Sequence, residues 1–247
     1  MTKSRFGFLS NNELKILAAI LMVCDHLGMM IFTKTPILRD IGRLSFPLFA
    51  YLIAEGAKYT RNKLRHLLTM AGFAAVIQIG YYIFNQSLEM SVLVTFTLSL
   101  LIIYALDLFK SALFQKDGSV WKIALTAALL LGAIALALTL HHLVDLDYNF
   151  SGCILPVFPS ILTKPKVADA PAVFDLLDRK EFRIFATLLG ALALSFDFGG
   201  SQFLCLLAIP LLFLYSENPG KLKMKYFFYI FYPLHFVVIY AIGMLIN

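Results

Sequence analysis

Asp25 and His26 stand side by side in LMVCDHLGMM, about two-thirds of the way through an apolar run. Ionisable side chains at such depth in a membrane segment are costly and mark function by default, unless the segment ends before them. Leu27 to Phe32 continue the apolar run, which places the pair inside it. Adjacent helical residues point about 100° apart, so His26 is expected to face an interior cavity and Asp25 a cation on a neighbouring helix. A neutral imidazole, with an ordinary pKa of about 6.5, can accept or return a proton near neutral pH. Arg43, in IGRLSFPLFAYLIAEG, is the expected partner of Asp25. Pro47 lies four residues later and removes the amide that would bond the Arg43 carbonyl, so the helix should bend or open there. Alternatively, Arg43 snorkels to the outer headgroups.

His235 lies mid-segment in FFYIFYPLHFVVIY, two residues after Pro233, which frees the Tyr229 carbonyl in the same way. It is read either as part of a proton path or as a hydrogen-bonded link between helices. Glu55 and Lys58 are three residues apart and form either a solvated pair or one end of a site. His66, His141 and His142 are read as structural.

The elements that must position these groups follow from composition. The 247 residues are 60% hydrophobic and 15% charged, with a mean hydropathy of +0.81. A soluble domain of this length cannot hide so much apolar surface, which excludes soluble enzymes, disordered tails and nucleic-acid-binding modules. The net charge of +6 is then a report on topology, because Lys and Arg collect in cytoplasmic loops. Cys24, Cys153 and Cys205 lie far apart and without metal spacing, suggesting neither a disulfide framework nor a metal site. Lys3 and Arg5 precede a full-length apolar run without a small-residue cleavage site, so the first segment is expected to remain as its own anchor.

Apolar stretches suited to crossing a bilayer fall at about 14–32, 41–57, 66–84, 91–109, 122–143, 149–163, 183–198, 202–215 and 225–246. Of 21 Lys and Arg, 17 fall at the start and in alternate connections, and only Lys34 and Arg39 fall in the others. This alternation fits an all-α polytopic protein of about nine transmembrane helices, forming one domain, with the amino terminus cytoplasmic and the carboxyl terminus external. The stretches 183–198 and 202–215 measure about 24 and 21 Å as helices. They are read either as two crossings or as a re-entrant hairpin, leaving seven full crossings and the same parity. The connection 164–180 should carry a short surface helix. Pro156 and Pro159 should break the segment that follows Asp145, Asp147, Tyr148 and Asn149, a cluster that either lines an opening or forms a surface loop.

Together LKILAAILMVCDHLG, IGRLSFPLFAYLIAEG with KYTRN, SVLVTFTL, DYNFSG and YFFYIFYPLHF resemble the TraX family of bacterial membrane proteins, known for amino-terminal acetylation of pilin. The family is similar in turn to transmembrane acyltransferases that carry a catalytic His in an early helix and use acyl-CoA. Ser91 stands where the family pattern has Asn. The resemblance implies functional positions at Asp25, His26, Arg43, Glu55 and His235. It implies acetyl transfer from cytosolic acetyl-CoA to an amine, the amino terminus of an exported peptide or pilin, at the bacterial cytoplasmic membrane. His26 would be the base, Arg43 or a Tyr hydroxyl would stabilise the oxyanion, and Lys58, Arg61, Lys63 and Arg65, with Glu55, would meet the donor. The rival readings are O-acetylation of a cell-surface glycan, and a small transporter or assembly protein with a proton path through Asp25, Arg43 and His235.

Overall fold

The computed structural model describes residues 7–116, 118–220, 224 and 227–246; among them it contains helices, two isolated bridges and no strand. Helix α1 spans Asn11–Met30 and starts with a capping box. The Ser10 hydroxyl accepts the Glu13 amide at 3.4 Å while the Glu13 carboxylate accepts the Ser10 amide at 2.6 Å. These bonds favour the ionised carboxylate and lower the Glu13 pKa. A turn leads to α2, Pro36–Gly42, with proline in its first turn, where a missing amide costs no helical bond.

The stretch 41–57 is not one helix, and the opening expected from Pro47 occurs where Arg43 and Leu44 separate α2 from α3, Ser45–Tyr59. Pro47 sits in the first turn of α3, which it can start but could not continue backward through Arg43. Next come α4, Lys63–Asn85, whose N-cap Asn62 accepts the Arg65 amide, then α5, Val92–Leu113, and α6, Val120–Leu143. Stretch 149–163 is broken as the prolines require, into α7, Asn149–Ile154, and α8, Val157–Ile161. The short helix expected in the connection 164–180 is α9, Val173–Leu177. Helix α10 spans Lys180–Phe198 and so begins three residues before the apolar stretch. Stretch 202–215 is not a single α-helix: a 3₁₀ segment, Gly200–Leu207, runs into α11, Ala208–Phe213. The last helix, α12, is Phe227–Ile246 with Pro233 inside it.

Contacts divide the chain into two compact units, Met1–Leu52 with Ser195–Asn247, and Ile53–Leu194. In the first, α1 packs on α2 and α12, and the 3₁₀ segment packs on α2. The buried Ser45 hydroxyl donates to the Ala18 carbonyl at 2.8 Å and holds the start of α3 on α1. Leu9 bridges Tyr215, and the Ser216 amide donates to the Leu9 carbonyl.

The second unit is built around α5, which packs against α4, α6, α7 and α8. Half of the most apolar window of α5 is buried, against 11% for α4 and for α6. These three helices are long and apolar enough to cross a membrane. Apolar side chains such as Leu64, Val76, Ile79, Leu131 and Leu143 are more than half exposed, a surface that lipid would cover. The motifs SVLVTFTL and DYNFSG meet here: the Thr95 hydroxyl donates to the Asp147 carbonyl at 2.6 Å, and the Ser99 hydroxyl to the Cys153 carbonyl at 2.8 Å. These bonds serve the backbone of a segment that begins with left-handed Tyr148 and Asn149. Lys110 likewise donates to the carbonyls of Ser160 and Thr163, at 2.9 and 2.7 Å, where α8 ends.

Candidate functional site

In the first unit, α1 and α2 form a close antiparallel pair whose register two glycines set. A Cβ on Gly42 would lie 2.3 Å from Asp25 Cβ, and one on Gly28 would lie 2.9 Å from Arg39 Cγ. Asp25 is three residues from Gly28, and Arg39 three from Gly42, so each charged residue faces the glycine of the other helix. This places Arg39 Nε 4.0 Å from Asp25 Oδ1, an electrostatic contact longer than a hydrogen bond. The expected partner of Asp25, Arg43, is replaced by Arg39, because Arg43 lies past the last turn of α2 while Arg39 lies on the face that meets α1.

His26 meets His235 of α12, with ring centroids 5.0 Å apart, and Phe236 at 4.4 Å. His26 Nδ1 is 2.8 Å from the Met22 carbonyl and His235 Nδ1 is 3.1 Å from the Phe231 carbonyl. A carbonyl oxygen only accepts, so each Nδ1 carries the proton, and in the neutral rings each Nε2 is left as the basic nitrogen. His235 is 5% exposed, and its Nε2 is buried without a partner. Asp25 Oδ1, Arg39 Nε and Arg43 Nε are also buried and lack hydrogen bonds. Unsatisfied buried polar atoms are rare in native structures, and these four ionisable side chains, on α1, α2, the α2–α3 break and α12 of one unit, make a candidate site.

The remaining expected positions belong to the second unit. Glu55 does not pair with Lys58 and is not solvated: it is 1% exposed and forms an ion pair with fully buried Arg183. Lys58 pairs instead with Asp178 at 2.9 Å, and Lys63 with Asp107 at 2.8 Å. Arg61 and Arg65 are exposed. Arg183, the first residue of the apolar stretch 183–198, lies inside α10. The signal was present as a stripe, Arg183, Thr187 and Ala191, spaced at one helical turn and wholly buried. His66 is held by the Tyr104 hydroxyl at 2.6 Å, a structural role. Asp145, with His141, His142 and Ser87, lines a surface depression of about 240 Å³.

A chain whose described residues form helices and no strand, with this much outward apolar surface and with ionisable groups gathered on its helices, is a membrane protein. It belongs to the TraX family, whose profile, "TraX protein", matches residues 10–243. It is also similar to a "Probable fimbrial assembly protein FimC, serogroup H1" of Dichelobacter nodosus, with 24% identity over 95% of this chain and 96% of the relative. No solved structure matches it.

Proposed function

We propose that this protein is a membrane-embedded acetyltransferase that moves an acetyl group from acetyl-CoA to an amine, the amino terminus of an exported peptide. The observation that carries this reading is the His26–His235 pair, two imidazoles with basic Nε2 atoms in a unit that also holds Arg43, whose buried Nε has no hydrogen bond. The amine nitrogen attacks the thioester carbonyl carbon. As the C–N bond forms and the C–S bond breaks, His26 Nε2 takes the proton from nitrogen and returns it to the departing thiolate. The Arg43 guanidinium stabilises the oxyanion, an effect worth about 3 to 4 kcal/mol where water is excluded. His235 orients the acetyl group or completes the proton path, and the Asp25–Arg39 contact keeps α2, and with it Arg43, in register on α1.

Exposed Arg61 and Arg65 are the better candidates to attract the phosphates of CoA, since Lys58 and Lys63 are neutralised by Asp178 and Asp107. The distribution of Lys and Arg supports an amino terminus in the cytoplasm of a bacterium and nine crossings, or seven with 183–215 re-entrant. A relative named for fimbrial assembly supports a fimbrial subunit as the acceptor.

The test is acetyl transfer by the purified full chain from labelled acetyl-CoA to a synthetic peptide with a free amino terminus, and to a glycan hydroxyl. Label on the peptide amine is expected. Label on the glycan alone would move the acceptor to a hydroxyl, and proton transport without acetyl-CoA turnover would overturn the enzymatic reading.

A further inference from the structure

Gln202 lies outside the groups named so far and in the same unit as His26, Arg43 and His235. It sits in the 3₁₀ segment three residues before Cys205, and side chains at that spacing eclipse in a 3₁₀ helix. The two therefore share one face, and they are 3% and 0% exposed. Gly199 and Gly200, at φ +67° and +52°, make the left-handed turn that starts the segment. The face is anchored by Ser195, whose hydroxyl lies 3.4 Å from the Cys205 thiol and 3.4 Å from the Gln202 carbonyl. The segment packs on α2, whose C-cap residue is Arg43.

Both polar atoms of the Gln202 side-chain amide are buried and have no oxygen or nitrogen partner; the adjacent Cys205 thiol is a weak partner for one of them. A carboxamide enclosed in this way is destabilising unless something supplies both an acceptor and a donor. Acyl transfer to an amine brings both: a carbonyl oxygen that becomes an oxyanion, and an N–H on the attacking nitrogen.

Building on the acetyl-transfer reading, we infer that Gln202 is a further substrate-contacting residue, whose amide nitrogen and the Arg43 guanidinium together receive the carbonyl oxygen of the transferring acyl group. Its amide oxygen accepts from the attacking amine. Gln202 is thus the neutral half of an oxyanion site whose charged half is Arg43, and it moves no proton.

The experiment compares the full-length protein and Gln202→Met, purified in nanodiscs, for transfer from acetyl-CoA to a synthetic peptide amine and for thermal unfolding. Methionine keeps the volume and removes both polar atoms. The expected result is a kcat lower by about 100-fold or more, a KM for acetyl-CoA within about threefold of wild type, and an unfolding temperature equal to or above wild type. A purely structural Gln202 would instead lower the unfolding temperature and leave kcat near wild type. That result, or a loss confined to KM, overturns the assignment while leaving acetyl transfer intact. Wild-type protein that neither transfers acetyl nor is stabilised against heat by acetyl-CoA overturns the acetyl-transfer reading, and this inference with it.

Discussion

The rings of His26 and His235 lie with centroids 5.0 Å apart, and each donates its Nδ1 proton to the carbonyl one turn earlier in its own helix. Two basic Nε2 atoms are thereby fixed by backbone geometry rather than by a carboxylate. At that separation, a proton on one ring disfavours a proton on the other. The pair is suited to holding one proton in transit.

Replacing His235 with Phe keeps an aromatic ring against His26, Phe236 and Tyr232 and removes the Nε2. Acetyl transfer should fall by about 100-fold, the scale of lost acid–base participation. The unfolding temperature should not fall, because the variant removes a buried nitrogen that has no partner. Assays of both quantities on the same preparation check this, and an unfolding temperature lowered by several degrees would reassign His235 to a structural role.

Gly42→Ala should separate α2 from α1. The added carbon would fall 2.3 Å from Asp25 Cβ and 2.6 Å from Asp25 Cα, and a backbone atom cannot swing aside. Overpacking of this kind costs about 1 to 3 kcal/mol. Thermal unfolding should drop by several degrees, and activity should fall with it because Arg43 follows Gly42 directly. Unchanged unfolding would show that the helix pair is looser than described.

Glu55 and Arg183 test a buried ion pair. Removing one partner, as in Glu55→Leu or Arg183→Met, breaks the buried pair and should cost about 3 to 5 kcal/mol, less for Glu55→Leu because Arg183 Nε still lies 3.8 Å from Asp178 Oδ1. The double variant, which removes both charges, should recover most of that loss. Additive losses in the double variant, measured by unfolding in detergent, would contradict the pairing.

Among the basic residues at and beyond the end of α3, Arg61 and Arg65 should behave differently from Lys58 and Lys63. Arg61→Gln with Arg65→Gln should raise the KM for acetyl-CoA in a salt-dependent way and leave unfolding unchanged. Lys58→Met or Lys63→Met should lower stability by removing the shorter ion pair of Asp178 or Asp107, which keep only the longer contacts to Arg183 and Lys110. Equal KM effects from both sets would return all four residues to donor binding.

Much of this architecture is legible from hydropathy and proline. The long runs in α4, α5 and α6 announce themselves by length, and Pro47, Pro156 and Pro159 mark where helices cannot continue. The Asp25–Arg39 contact was not legible, since a four-residue offset in arginine depends on the register of two packed helices. Gly28 and Gly42 do carry that register, but only once the two helices are known to be neighbours. Arg183 was hidden because it stands at the polar edge of an apolar stretch, where charge counting treats it as loop. Its burial follows from the Glu55 carboxylate, a long-range partner. The 3₁₀ segment was hidden because an apolar run cannot distinguish three residues per turn from 3.6. That concealed the shared face of Gln202 and Cys205, and with it a polar residue within the site's unit.

The most direct measurement is label transfer from acetyl-CoA to a peptide amine by the purified full chain, wild type against His26→Ala. Wild type should label the amine, and the variant should lose at least about 100-fold in rate while still unfolding cooperatively. Equal labelling by the two proteins would contradict His26 as the base.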